Sequence, residues 1–262
     1  MLSRSKCALI TYCQNLSSCP MIFSEINLRR HLSHIQRLVL DGTTDSFPPV
    51  MRALATPAPH LESLELHVAD FLPPPYYVVL PSNIFAYQAP KLRNMTLNCC
   101  SVPWDSWFFH DLTYLENCPR ALTSDSQPYV MKVVSNHRWS AAVPSPSLEK
   151  HLSTLEGMPS LEVLILGYCL PPPDSLSRIV PLPHVTKFSL EGSLSECVAI
   201  LEHISLPVLA SLSLSGSARG SPDGFPRLSF PSLQLTSGPQ GHRSRLLLHF
   251  VCGITSWSLP GT

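Results

Sequence analysis

An apolar motif recurs at a constant step in the second half of the chain, and no other feature constrains the fold as strongly. The motif begins at Pro159, Pro183 and Pro207, and each copy follows the pattern P-x-Φ-x-x-Φ-x-Φ, where Φ is apolar. A fourth proline, Pro231, continues the step and is followed by leucines two and four positions later. Alternating apolar residues are typical of a strand with one buried face. One such strand cannot bury its apolar face alone, so the units are expected to stack.

Three earlier segments repeat this spacing at a less regular step. They are the strands predicted at 34–42, 60–66 and 90–100, and their matching apolar positions are Ile35, Leu61 and Leu92. A weaker unit at 112–115 follows, and a gap of about two repeat lengths then separates it from Leu161. The stretch 117–143 has poor periodicity, and we interpret it as an insertion or as a degenerate repeat.

The repeat length and the spacing of its apolar residues indicate the fold class. Units of about 20–29 residues, each with a short strand and a return segment, are the signature of leucine-rich repeats. The sequence therefore predicts an α/β fold, a leucine-rich-repeat solenoid with a curved parallel β-sheet on its concave face and short helices and loops on its convex face. Return helices are predicted at 47–54, 147–158, 175–180 and 194–204.

The chain is expected to divide into five segments along its length. An N-terminal cap over 1–34 contains a strand over 7–13 and a helix from Ser24 to about Leu32. Repeats follow over 35–116, then an irregular insertion over 117–146, further repeats over 147–237, and an irregular tail over 238–262. The apolar run from Leu246 to Val251 lies in this tail and has no period that assigns it to an element.

Strand side chains alternate between two faces, so the residues between the buried apolar positions point away from the core. Stacking lines these residues up on the concave sheet, where we expect a protein-binding surface. The predicted surface residues are Arg37, Val39, Asp41, Ser63, Glu65, His67, Asn94, Thr96, Asn98, Val163, Ile165, Lys187, Ser189, Glu191, Ser211 and Ser213.

Two cysteines and an aromatic cluster have structural explanations that we prefer to functional ones. Cys100 and Cys169 occupy the ninth motif position, where a small hydrogen-bonding side chain satisfies backbone groups as the chain leaves the sheet. The aromatic cluster comprises Trp104, Trp107, Phe108 and Phe109. Aromatic residues are enriched at binding hot spots, but the usual burial of large rings favours packing under the convex side.

Composition and motif content bound the function. Lys plus Arg equals Asp plus Glu, at 18 each, so the chain lacks the basic excess expected of a nucleic-acid binder. No apolar run reaches the roughly 18 residues of a membrane span. Nine irregularly spaced cysteines favour a reducing compartment, the cytoplasm or the nucleus. The histidines are scattered, and no phosphate-binding glycine loop or nucleophile elbow occurs, so we expect no catalytic residue, no cofactor and no metal.

Several phrases resemble the leucine-rich-repeat half of fungal F-box-like proteins, a group much expanded in mushrooms. The phrases are Leu80-Pro-Ser-Asn-Ile-Phe85, Ala89-Pro-Lys-Leu-Arg93, Cys100-Ser-Val-Pro-Trp104 and Thr154-Leu-Glu-Gly-Met-Pro-Ser-Leu-Glu-Val-Leu164. The resemblance covers about 3–214, interrupted near 117–143, and it includes no catalytic motif.

The resemblance implies a substrate-recognition role in ubiquitin transfer. In that family an N-terminal F-box docks on the adaptor of a cullin-RING ubiquitin ligase, and the repeats select a protein substrate. No F-box precedes Ser3, so we expect a fragment, a truncated product or a repeat protein without the ligase link. The expected function is a non-catalytic protein–protein interaction module with an unknown protein substrate, and with the ligase adaptor as a partner only if an F-box lies upstream. The alternative is a leucine-rich-repeat scaffold or receptor fragment with no ubiquitin role.

Overall fold

The computed structural model describes residues 9–18, 21–69, 78–118, 146–167, 169–207, 210–217 and 245–251. Over these residues the chain has an α/β fold built on a nine-stranded sheet, in which eight strands run parallel and the last runs antiparallel. The strands of this sheet are β1 (Ile10–Asn15), β2 (Ile35–Gly42), β3 (Ser63–Val68), β5 (Asn94–Asn98), β7 (Tyr114–Asn117), β8 (Val163–Gly167), β10 (Lys187–Ser193), β12 (Ser211–Ser217) and β13 (Arg245–Val251).

Shorter elements fill the connections between these strands. Two pairs of two-residue parallel strands lie outside the main sheet, β4 (Val78–Val79) with β6 (Cys100–Ser101), and β9 (Val180–Pro181) with β11 (Ile204–Ser205). The α-helices are α1 (Met21–His31), α2 (Phe47–Leu54), α3 (Leu148–Glu156) and α4 (Leu194–Leu201). Short 3-10 helices occur at Leu16–Ser18, Leu32–His34, Thr44–Ser46, Ile84–Tyr87 and Trp107–Phe109.

The sheet is ordered as the chain is ordered, which makes the arrangement solenoid-like. Its strands follow the sequence β1-β2-β3-β5-β7-β8-β10-β12-β13, so each pairs with the next one along the chain. Leu164, Phe188 and Leu212, which are equivalent positions of successive motif copies, lie side by side in this register. The predicted parallel alignment of the repeated motif is therefore confirmed over β8, β10 and β12.

One face of the sheet carries two rows of buried apolar side chains that run across the strands. The first row contains Leu38, Leu64, Met95, Leu115, Leu164, Phe188 and Leu212, and the second contains Leu40, Leu66, Leu97, Leu166, Leu190 and Leu214. Each of these side chains is at most 4% exposed. They form one continuous core with apolar residues of the helices. Complete burial of such a side chain contributes about 1.5–3 kcal/mol, so the stacked rows are the main stabilising feature.

Strands β3, β5 and β8 are entered through the same kind of turn. The backbone N–H of Leu61, Leu92 and Leu161 donates to the carbonyl oxygen three residues earlier, at 3.1–3.2 Å. The turn buries one apolar side chain just before the strand and leaves its polar residues outside. The P-x-Φ start of the motif thus closes the return segment and sets the strand register.

The helices agree with the sequence prediction at most positions. Helix α2 has the predicted bounds, and α3 begins after Ser147, whose side chain accepts a hydrogen bond from the Lys150 backbone N–H. Helix α1 begins three residues before Ser24. Helix α4 starts at a capping box formed by Ser193 and Glu196 and ends at Leu201, three residues earlier than predicted.

The predicted helix at 175–180 is wrong. Residues 171–179 contain no helix, and Val180 and Pro181 form strand β9 instead. Three prolines precede this segment and two more lie at 181 and 183. Proline lacks the N–H that a helix interior needs, and it biases the preceding residue toward extended backbone, so too few residues remain for a helix.

The two blocks of repeats meet at strands that are direct neighbours in the sheet. Strand β7 pairs directly with β8, although the sequence between them is about two repeat lengths long. Both alternatives for this gap, an insertion or a degenerate repeat, stay predictions. Residues 119–145 lie outside the described residues, as does the predicted unit at Pro231.

Three residues of the aromatic cluster pack in the core, as predicted, and the fourth, Trp107, is half-buried against it. Trp104, Phe108 and Phe109 are each at most 5% exposed, and Trp104 stacks on Phe109 with ring centroids 5.7 Å apart. The ring of His151, on α3, lies 3.8 Å from Trp104 between centroids. The cluster therefore links α3 to the connection that precedes β7.

The tail contains a strand that the sequence pattern did not assign. Strand β13 pairs antiparallel with β12 from Ser211↔Val251 to Ser217↔Arg245. It covers the edge that β12 would otherwise present. Within the described parts of the chain, none of the helices has the length and apolar character needed to cross a membrane.

Candidate functional site

The sheet face opposite the core is the candidate site, and we call it the open face. It exists because burial alternates along the strands: in β3 every second residue is buried and the residues between them are half-buried. Strand β10 shows the same alternation over its length. The side chains between the core positions therefore lie on a surface formed by eight neighbouring strands.

Parallel register arranges the open face in three rows that cross the strands. The amino row is Thr11, Arg37, Ser63, Asn94, Tyr114, Val163, Lys187 and Ser211. The middle row is Cys13, Val39, Glu65, Thr96, Glu116, Ile165, Ser189 and Ser213. The carboxyl row includes Asn15, Asp41, His67, Asn98, Gly167, Glu191 and Ser215.

All of the predicted surface residues except Asn98 lie in these rows with exposed or half-buried side chains. Those on β2 and β3 adjoin one another, as do those on β8, β10 and β12. The two groups are joined through β5 and β7. The structure thus brings the predicted residues into one surface, and its use for binding stays a prediction.

Asn98 is the exception, because its side chain is buried at 5% exposure. Alternation ends at the last residue of β5, where Leu97 and Asn98 are both buried. The next residue, Cys99, has a φ of 53°, a left-handed conformation that turns the chain out of the strand. Asn98 is therefore removed from the predicted surface.

Sequence reasoning missed the outward residues of β1 and β7. Thr11, Cys13 and Asn15 are exposed on β1, and Tyr114 and Glu116 occupy the open face on β7. The weak unit at 112–115 concealed β7, since the last residue of this strand is an asparagine in the buried row where β2, β3, β5, β8, β10 and β12 carry leucine. The two leucines of that unit, at the correct spacing for a repeat, were the available signal.

An ion pair joins two strands at one end of the open face. The Arg37 guanidinium contacts the Glu65 carboxylate through Nη2 at 2.7 Å, and its Nε donates to the same oxygen at 2.9 Å. His67 Nε2 lies 4.0 Å from the other Glu65 oxygen. Glu65 is therefore engaged within the protein and is not a free anion for a partner.

A different environment surrounds the carboxylate on β7. Glu116 is only 3% exposed although it lies in the middle row. The Tyr114 hydroxyl donates to its Oε2 at 2.6 Å. Its direct register neighbours are Thr96 and Ile165, and the next pair along the two strands is Tyr114 and Val163; all four are half-buried. The centre of the open face is consequently less polar than its two ends.

The carboxyl row contains a close approach between a cysteine and a glycine. The Cys118 thiol donates to Glu191 Oε2 at 3.7 Å, and its sulfur lies where a side chain at Gly167 would stand, 2.3 Å from an ideal Cβ. Burial, followed by the nearby Glu191 carboxylate, raises the pKa of Cys118 to about 12. This thiol therefore stays protonated at neutral pH, the form in which a cysteine is a poor nucleophile.

The two ninth-position cysteines make the backbone contacts that were predicted. Cys169 Sγ donates to the carbonyl oxygen of Asn117 at 3.5 Å, and Cys100 Sγ donates to that of Asn98 at the same distance. Burial raises the pKa of Cys169 to about 12 and raises that of Cys100 as well. Both thiols are structural groups where the chain turns away from the sheet.

In the residues for which placement is described, no group of three or more His, Cys, Asp or Glu side chains is arranged to hold a metal ion. No protein-family model matches the chain, and neither a curated protein nor a solved structure shows significant similarity to it.

Proposed function

We propose that the chain is a leucine-rich-repeat solenoid that binds another polypeptide on its open face and catalyses no reaction on it. The observation that carries this proposal is the register of eight parallel strands, which brings outward side chains into continuous rows above a shared core. Adjacent strands are about 4.8 Å apart, so the rows extend over roughly 34 Å. That length suits an extended or helical protein segment.

The chemistry of the open face favours a protein over other partners. It carries Arg37 and Lys187, the carboxylates of Asp41 and Glu191, and an apolar centre. A nucleic-acid surface needs an excess of cations for the phosphates, whereas a polypeptide carries both charges and apolar groups. The free thiols among the described cysteines suit a reducing compartment, so we propose a cytoplasmic or nuclear location.

A role in ubiquitin transfer is a more specific proposal. It rests on the sequence segments that resemble fungal F-box-like proteins. The chain would then be the substrate-recognition region of an adaptor of a cullin-RING ligase. Immunoprecipitation of a natural gene product that carries both an F-box and these repeats should recover the cullin and its adaptor, with the repeat region alone as the negative control. Recovery of neither favours the alternative, a repeat scaffold without a ubiquitin role.

Photo-crosslinking tests whether the open face binds protein at all. A photo-reactive residue would replace Ser189, half-buried in the middle row, or Ser160, exposed in the turn before β8. The two positions are both serines, so the change is matched. In cells of the natural host, we expect discrete adducts from position 189 that are absent from position 160. Equal adduct patterns from both positions would refute protein binding by the open face.

A further inference from the structure

The charges of the open face are segregated by row. The amino row carries Arg37 and Lys187 and no carboxylate. The middle and carboxyl rows carry the four carboxylates and contain neither lysine nor arginine; these acids are Asp41, Glu65, Glu116 and Glu191. A partner that lies across the strands therefore meets opposite charges at the two edges of the face.

Internal contacts reduce this pattern to two accessible charges. Arg37 and Glu65 neutralise each other at 2.7 Å. The Glu116 carboxylate on β7 is buried. The Glu191 carboxylate on β10 accepts a hydrogen bond from the buried Cys118 thiol. By contrast, Lys187 and Asp41 are exposed, and neither forms an ion pair with another described residue. These two side chains are the charges that a partner can reach on the open face without displacing an existing contact.

Apolar side chains occupy the region between the two accessible charges. Val163 is the direct register neighbour of both Lys187 and Tyr114, and Ile165 lies two residues further along β8. The valine, the isoleucine and the tyrosine are all half-buried. Half-buried aromatic and aliphatic groups flanked by polar residues are the usual arrangement of an interface centre and its rim.

The separation of the two charges sets the length of the partner segment. Asp41 on β2 and Lys187 on β10 are five strand steps apart, about 24 Å at 4.8 Å per step. They also lie at opposite ends of their strands, about 13 Å apart along the strand direction. The diagonal is then about 27 Å, which an extended peptide of about eight residues spans.

We propose that the open face takes a bipolar peptide segment. An acidic residue of the segment pairs with Lys187, apolar residues cover Val163 and Ile165, and a basic residue about eight positions away pairs with Asp41. This inference deepens the proposed function and depends on it. The acidic group is a side-chain carboxylate of the bound segment. Because Lys187 takes the acidic residue and Asp41 the basic one, the two charges determine in which direction the segment crosses the strands.

A phage-displayed library of random sixteen-residue peptides is the probe that tests the proposal. It would be selected on the complete purified chain and, in parallel, on Lys187→Glu and Asp41→Lys. A Ser160→Glu variant adds a charge in an exposed turn outside the open face and serves as the control. We expect the natural chain to enrich peptides with an acidic and a basic residue about eight positions apart around apolar residues.

Charge exchange gives the decisive measurement. A selected peptide should bind Lys187→Glu about fivefold to tenfold more weakly, because an attractive pair becomes a repulsive one. Replacing its acidic residue with lysine should restore binding to Lys187→Glu and weaken binding to the natural chain. Ser160→Glu should leave the affinity unchanged.

Binding to the variants distinguishes failure of the bipolar segment from failure of protein binding by the open face. Peptides that lose binding to Ile165→Arg but bind Lys187→Glu and Asp41→Lys normally would overturn the bipolar segment and leave protein binding by the open face intact. Peptides that bind Ile165→Arg as well as the natural chain, or a library with no enriched peptide, would overturn both. The thermal midpoint of each variant must match that of the natural chain, because loss of folding would also abolish binding.

Discussion

A buried histidine makes the stability of the fold depend on pH. His151 is fully buried on α3 against Trp104, and neither of its ring nitrogens has a hydrogen-bond partner among the described residues. Burial lowers the pKa of His151 to about 4 from an ordinary value of 6.5. The folded chain therefore holds a neutral imidazole over a pH range in which the unfolded chain takes up a proton.

The sign and size of the effect follow from this difference. The contribution of His151 is fully present above pH 6.5 and is lost as pH falls toward 4, because the unfolded state then binds more protons. Each pH unit of this window lowers the free energy of unfolding by up to about 1.4 kcal/mol, and the whole window by about 3 kcal/mol. Between pH 7.5 and pH 5.0 the loss assigned to His151 is about 2 kcal/mol.

Urea unfolding followed by tryptophan fluorescence measures this loss. His151→Phe keeps a planar ring against Trp104 and removes the titrating group, so its stability should fall about 2 kcal/mol less than that of the natural chain between pH 7.5 and pH 5.0. His184→Phe makes the same exchange at an exposed turn and should follow the natural chain. If the natural chain and His151→Phe lose stability in parallel, the buried neutral imidazole is refuted.

Three further predictions concern the core, a close contact and the thiols. Leu164→Ala should lower the free energy of unfolding by about 2–5 kcal/mol, since Leu164 is fully buried between Leu115 and Phe188. In the same urea titration, Val163→Ala on the open face should lower it by under about 1 kcal/mol. Gly167→Ala should lower the free energy of unfolding by about 1–3 kcal/mol, because the new Cβ would meet the Cys118 sulfur. Adding Cys118→Ala should recover part of that loss. Additive losses of stability in the double variant would contradict the contact. Iodoacetamide at pH 8 should modify the exposed Cys13 quickly, and the half-buried Cys169 and the buried Cys197 only after unfolding, because burial raises the pKa of both of these thiols to about 12. Peptide mass spectrometry distinguishes the sites.

Periodicity in the sequence is sufficient to place most strands and to separate their faces. Phe188 and Leu190 alternate with Lys187 and Ser189, and this alternation alone determines which side chains enter the core. The constant step between motif copies then places equivalent side chains next to each other, as in the row through Leu164. Local pattern and long-range pairing agree here, so sequence reasoning succeeds.

Failures occur where a single residue or a distant contact decides the conformation. Asn98 has the right spacing for the open face, but the left-handed Cys99 beside it ends the strand. Gly167 provides room for the sulfur of Cys118, a contact between residues far apart in the sequence that no local pattern records. Strand β13 forms by pairing with the edge of β12, so its apolar run cannot be assigned to a strand from local sequence alone.

The direction of β13 limits how molecules of this kind can associate. A sheet of parallel strands presents a different edge at each end, and copies that joined one end to the other would grow into a filament without closing. Here the β12 edge is occupied along its full length by a strand of opposite direction. The first strand of a second molecule cannot pair with β12 there, so association through this end of the sheet would have to use the outer edge of β13.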